Sequence, residues 1–280
     1  MSPLCRWLPL LLLLAGPLPA EPPPESSLPP DVTRFILANS EFTVLHEMGH
    51  LLIAELDLPV LGREEDAADQ LGLIGLFLLH GEQRDADFYA KLLDIVDFLR
   101  LEWQRPKPAA EEVPAWDSHG LDAQRFYNIA CLVYGSDPER LEWVPELTGL
   151  PMERALYCDQ EYQQARKAVD WVRSRYRRAA IQTTPRFQVI YDPPPVNVPD
   201  AERLIAQVRA GGNLETLARR ASATFALPRT LILRLSGCGT PDAWYNRNTG
   251  ELTLCYERLQ HFRQLAETLP RLRQPAAPGQ

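Results

Sequence analysis

His46, Glu47, Met48, Gly49 and His50 form the run in this chain whose residue types and spacing could do chemistry. Histidines four positions apart stand one turn apart on one face of a helix, so their imidazoles can converge on a single metal ion. Glu47 sits beside them, where it can take a proton from a water on that metal, and the order His-Glu-x-x-His is that of hydrolytic zinc sites. The flanking residues are strongly apolar, so these polar groups are partly buried and need partners. Gly49 costs a helix about 1 kcal/mol relative to alanine, a cost with a purpose if another backbone or a substrate must come close.

A catalytic zinc takes three protein ligands and leaves one position open. Leu51 to Leu58 offers no further histidine, and the next polar cluster is Arg63-Glu64-Glu65-Asp66-Ala67-Ala68-Asp69. It opens a second helix after a short loop, and Glu65 and Asp69 stand four apart on it, so both can face the first helix. On residue type alone, Glu64, Asp66 and Asp69 are alternatives to Glu65. The run Glu65 to Asp69 is similar to the Glu-x-x-Ala-Asp pattern of several gluzincins, which implies that Glu65 is the third ligand. Asp69 would then accept the free N–H of His46 or His50. The helix dipole also favours acids in a first turn, but it does not account for Ala67 and Ala68, which would let two helices approach closely. Hydrolysis needs one more donor for the oxyanion. The candidate is His119, in Asp117-Ser118-His119-Gly120, with Tyr127 or Tyr157 behind it. His80 and His261 read as structural or exposed, and the basic run Arg173–Arg178 as a solvated helix face.

The elements that must hold these groups are mostly helical. Apolar spacing predicts helices from Asn39 to about 57, from 63–64 to 79, over 84–104, over 121–134 and from Met152 to Arg178. After Thr183 the pattern changes. A strand is expected at Phe187–Tyr191, helices at about 200–210 and 213–225, and strands at Leu231–Leu235, Ala243–Asn246 and Leu252–Tyr256. The Asn-Arg-Asn-Thr-Gly turn joins the last two strands as a hairpin, and a helix follows over 257–269. The fold class is therefore α+β, predominantly helical, with a small C-terminal strand and hairpin region.

Residues 1–20 carry Arg6, the apolar run Leu8–Ala15 and a small-residue end at Ala20, the order of a cleavable signal peptide. A Pro-rich leader is expected over 21–38, a helical metal-binding region over 39–180, an α/β region able to complete the same domain over 181–270, and a disordered tail over 271–280. The apolar run is shorter than the roughly 20 residues of a membrane-spanning helix, so no span is expected after cleavage and the protein is expected in the periplasm or secreted. The net charge of −8 becomes −9 once Arg6 is removed, which argues against a nucleic-acid partner. Cys5 lies in the expected signal peptide. Cys131, Cys158, Cys238 and Cys255 are an even set, which reads as two disulfides in an exported chain. The pairing Cys131–Cys158 and Cys238–Cys255 is favoured because each pair lies within one local unit. No Cys-x-x-Cys is present to suggest a four-cysteine zinc site.

The stretch Phe42–Gly72, with both motifs above, resembles a bacterial domain family of unknown function described as a putative metallopeptidase. Gln124–Ile129, Leu150–Tyr162 and the hairpin Cys238–Tyr256 resemble it too. The resemblance implies a zincin-like fold, export and proteolysis. With the two motifs above, the expectation is one Zn2+ per chain held by His46, His50 and Glu65, and hydrolysis of a peptide or protein substrate with Glu47 as general base. The alternative is a zinc-binding envelope protein that recognises a peptide or protein partner without cleaving it. Zincins lay an edge strand beside the cleft. Here the strand-rich segment follows the metal helix, so the Cys238 hairpin would have to fold back to supply it.

Overall fold

The computed structural model describes residues 28–81, 84–106, 117–118, 120–178 and 187–269. Residues 1–27, which hold the expected signal peptide, and the tail from 270 lie outside this set, as does His119. Ten helices and four strands follow in the order α1 (Pro30–Glu55), α2 (Glu64–His80), α3 (Ala86–Gln104), α4 (Asp122–Gly135), α5 (Val144–Thr148), α6 (Met152–Ala155), α7 (Cys158–Arg175), β1 (Phe187–Tyr191), α8 (Ala201–Gly211), α9 (Asn213–Thr224), β2 (Leu231–Ser236), β3 (Ala243–Asn246), β4 (Glu251–Cys255) and α10 (Tyr256–Ala266). The protein is α+β and predominantly helical.

Helix α1 is the axis. It touches α2, α3, α8, α9, α10, β3 and β4, and from Ala38 to Gly49 every residue is buried, polar and apolar alike, as in a helix enclosed by neighbours. It also corrects the expected leader over 21–38, because the helix begins at Pro30 and not at Asn39. Proline is well suited to the first helical position, where its missing N–H has no partner to lose. Phe35, Ile36 and Ala38 are buried in the core. Arg34 bonds Asp94 of α3 at 2.7 Å and anchors this first part of the helix.

A second correction concerns the single helix expected from Met152 to Arg178. It is split into α6 and α7 around Leu156–Tyr157. The start of α7 lies so close to the end of α4 that a Cβ on Gly135 would stand 2.0 Å from the Cys158 carbonyl oxygen. Cys158 is disulfide-bonded to Cys131 of α4 at the same point. A straight helix through 152–175 could not meet α4 there. The chain leaves α7 at Arg175, and Arg177 forms a bridge with Phe225.

The sheet has the order β1-β2-β4-β3, with β1, β2 and β4 parallel and β3 antiparallel to β4. The β3–β4 turn is held by Asn246, whose side chain accepts the Asn248 N–H at 3.0 Å, and Gly250 takes the left-handed backbone (φ 71°) that the turn requires. The second disulfide, Cys238–Cys255, ties the segment after β2 to the end of β4, so both expected pairings are present. One core cluster runs from Phe35 through Leu92, Ile129 and Leu204 to Leu254 and Phe262. Helical and strand-bearing regions therefore share an interior. Glu41, buried in α1, ties them further: it accepts from Lys91 of α3 (2.5 Å) and from Asn213 of α9 (3.2 Å), and contacts His80 of α2 (3.2 Å). Burial pushes its carboxyl up, but His80 and Lys91 outweigh that and hold it below the ordinary range.

Helices α1 and α2 make the closest contact relevant to the motif. A Cβ on Gly49 would lie 2.7 Å from Ala68 Cα, and one on Gly72 would lie 3.0 Å from the His46 nitrogen. The obstacle is backbone in both cases, so it cannot swing aside. Gly49→Ala should therefore destabilise the fold by about 1–3 kcal/mol through overpacking. Gly62→Ala, where an added Cβ meets nothing within 4 Å, should leave the midpoint unchanged. Paired urea titrations would check both.

Candidate metal centre

The centre is built by three side chains from two helices. His46 and His50 come from consecutive turns of α1, with ring centroids 5.0 Å apart, and Glu65 comes from the first turn of α2. Glu65 Oε2 lies 3.4 Å from His46 Nε2 and 3.4 Å from His50 Nε2. Ligands at about 2.0–2.1 Å from a tetrahedral ion are separated by about 3.3–3.4 Å, so both measured edges suit one metal ion. Of the candidates left open by residue type, Glu65 is the one grouped with both histidines among the described residues.

The far nitrogen of each imidazole is already occupied. His46 Nδ1–H donates to Asp69 Oδ1 at 2.8 Å, and His50 Nδ1–H donates to Glu64 Oε1 at 2.9 Å. In the neutral imidazoles these bonds put the lone pair on Nε2, facing Glu65, the tautomer that ligation needs. Asp69 thus serves His46, and Glu64 serves His50. Each supporting carboxylate is in turn held from outside. Arg125 of α4 donates Nε–H and Nη2–H to the two Asp69 oxygens, both at 2.7 Å. Arg247, in the β3–β4 turn, donates to both Glu64 oxygens at 2.8 Å. Sequence reasoning missed Arg125, Arg247 and the part of Glu64. The two arginines lie 56 and 183 positions from their partners, and nothing local marks them.

The electrostatics follow from this packing. Burial pushes Asp69 up, but Arg125 and His46 overwhelm it and hold the carboxyl far below the usual range. Burial opposes charge on His46 and His50. The carboxylates win at both: Asp69 and Glu65 raise His46, and Glu65 and Glu64 push His50 up to about 9. Burial pushes Glu47 up, against the pull of the two histidines. Its Oε1 lies 4.0 Å from His46 Nε2, and it has no hydrogen-bond partner among the described residues.

Glu47 opens on a cavity of about 120 Å³, lined also by Phe42, Thr43, Arg125, Ala243 and Arg258. Ala243 begins β3, the outermost strand of the sheet on this side. The hairpin has therefore folded back alongside α1. Tyr245 and Arg229 fix it there through Glu55 of α1, at 2.5 and 2.6 Å.

A comparison with known families now bears on this arrangement. The family described as "Putative metallopeptidase" matches residues 25–173 and 193–274. The chain belongs to that family. No curated protein and no solved structure matches the chain. The family's description suggests a metal, and His46, His50 and Glu65 are a group among the described residues that could hold one.

Other expected residues lie elsewhere. His119 is outside the described residues, although Gly120 beside it stands near Arg63 and Asp66 at the start of α2. Tyr127 packs on Trp103 and Phe126, and Tyr157 is exposed. His80 meets Glu41, and His261 meets Glu102 at 2.6 Å.

Two outcomes follow. Arg125→Met removes one partner of a mostly buried pair and leaves Asp69 uncompensated. It should cost about 3 kcal/mol in chemical denaturation, the low end for such pairs because 28% of the Arg125 side chain remains exposed. In chelator-stripped protein, His50 contributes stability that is full below pH 6.5 and is lost as pH rises through about 9, and the raised His46 acts in the same direction. Stripped protein should thus melt lower at pH 9 than at pH 6.5, and metal-loaded protein should not show this loss.

Proposed function

We propose that this protein is an exported zinc-dependent peptidase that hydrolyses peptide bonds with Glu47 as its general base. The observation that carries the reading is the pair of 3.4 Å separations from Glu65 to the two histidines, with both Nδ1 atoms bonded away from it. Two nitrogen donors and one carboxylate suit zinc, and this set is known from catalytic zinc sites that keep a position open. When bound, zinc supplies Lewis acidity and makes a water acidic enough to lose its proton near neutral pH.

The chain's own residues do the rest. Asp69 and Glu64 hold the imidazoles in orientation, and Arg125 and Arg247 hold those carboxylates. Glu47 has no hydrogen-bond partner among the described residues, so its oxygens are available to accept a proton. Burial raises its affinity for that proton, which brings it closer to the range where a base can also return the proton as an acid. Glu47 takes the proton from the attacking water and delivers it to the leaving amine. The outer edge of β3 is the backbone on which an extended peptide can pair, and Ala243 puts that edge beside Glu47. Export is supported by the signal-like order of residues 1–20 and by the two disulfides.

Metal analysis of the purified protein tests this reading. Wild type should hold one zinc per chain, and Glu65→Gln should lose it. Asp69→Asn should bind zinc about 10–100-fold more weakly. Glu47→Gln should keep zinc and lose cleavage of a denatured casein substrate. Zinc absent from reconstituted wild type would refute the site. Zinc present without cleavage in wild type would leave a metal-dependent peptide-binding protein.

A further inference from the structure

The cavity beside Glu47 contains two arginines in different states. Arg125 is spent on Asp69, with both of its short bonds made. Arg258, on α10, is not paired with any carboxylate among the described residues. Its guanidinium sits against the faces of Phe98 and Phe262, at 5.1 and 5.2 Å. Its hydrogen bond to protein runs from Nη1 to the Pro241 carbonyl, 3.2 Å away, and its Nε is buried with no acceptor. Two aromatic faces attract a cation, but they neither neutralise it nor accept in-plane N–H bonds. Glu102, Asp242 and Glu47 attract it at longer range without bonding to it, and Arg125 opposes them; Asp242 and Glu47 line the same cavity. The consequence separates it from the arginines that have carboxylates. Arg125, Arg229 and Arg234 are all raised, whereas burial pushes Arg258 below its ordinary value.

A largely buried guanidinium with no carboxylate bonded to it is costly unless function keeps it. Here it lines the same small cavity as His46 and Glu47, and about 120 Å³ has room for one side chain or one chain end. We propose that Arg258 is the receptor for a substrate carboxylate bound beside Glu47. The carboxylate is either an acidic side chain flanking the scissile bond or a free C-terminus. The inference rests on the peptidase reading for its orientation, but it concerns binding and is testable apart from turnover. Planar guanidinium and planar carboxylate match in geometry, and the two phenylalanines hold the guanidinium in one orientation before substrate arrives.

Three N-dansyl pentapeptides, otherwise apolar, separate the sources. One has an internal glutamate and an amidated end, one has glutamine there and a free carboxylate end, and one has glutamine and an amidated end. Binding to the zinc-loaded full chain is read by dansyl fluorescence, and cleavage is read separately by chromatography. Wild type should bind one charged peptide at least about tenfold more tightly than the neutral one. The glutamate peptide winning identifies a side chain, and the free-end peptide winning identifies a chain terminus. Arg258→Met should abolish the preference, and Arg258→Lys should keep part of it. Equal affinity of wild type for all three, no binding of any, or a preference that survives in folded Arg258→Met would overturn the proposal. The wild-type comparison decides even if Arg258→Met does not fold. Cleavage without preference would remove this inference and keep the peptidase; preference without cleavage would do the reverse.

Discussion

The approach of α2 to α1 is the constraint on which the site depends. Glu65 can stand 3.4 Å from both histidines only because the helix backbones nearly touch. That contact requires small residues where the axes are closest. Gly49 lies inside the motif and faces Ala68, and Gly72 faces the backbone of His46 one turn on. A side chain at either glycine would push α2 outward and carry Glu65 and Asp69 with it. The helix-weakening glycine in the motif is thus a packing requirement, and its cost of about 1 kcal/mol is offset by the burial of both helices along this seam.

Close packing concentrates charge, and the surrounding elements balance it. Glu47, Glu64, Glu65 and Asp69 crowd two imidazoles in a largely buried volume. Left alone, such carboxylates would repel one another and take up protons. Arg125 reaches in from α4 and Arg247 from the hairpin, each on a carboxylate that already holds a histidine. Glu65 stays between the histidines, and Glu47 stays without a protein donor. The arrangement separates two kinds of acid: Asp69 and Glu64, each fixed by an arginine and bonded to a histidine, and Glu65 and Glu47, which lie on the Nε2 side of the imidazoles.

Local pattern carried much of this into the sequence. The spacing of His46 and His50, and of Glu65 and Asp69, follows from helix period alone, and the strand at Phe187–Tyr191 and the β3–β4 hairpin follow from alternation and turn chemistry. The two failures have physical causes. Prolines at 29 and 30 look like a leader to composition, yet Pro30 is a sound helix start once Phe35 and Ile36 have a core to enter. The break at Leu156–Tyr157 lies where α7 begins against Gly135 of α4, tied there by Cys131–Cys158, and no window within 152–178 contains that neighbour. Arg125, Arg247 and Arg258 were invisible for the same reason. An arginine's role is set by the carboxylate or aromatic ring that tertiary structure brings to it.

The order of the elements along the chain matters less than the ties that close the cleft. The sheet follows the metal helix in sequence, but the Glu55 cluster returns β3 to the side of α1. Tyr245 and Arg229 both bond this one carboxylate, two turns beyond the motif's start. Arg247 then bonds Glu64, so the turn that ends β3 also holds the acid that orients His50. Strand edge and imidazole are thereby coupled through a single carboxylate. A shift of the hairpin would disturb the orientation of His50 as well as the outer edge of β3, which makes the C-terminal sheet part of the setting of the candidate metal centre and not an appendage to it.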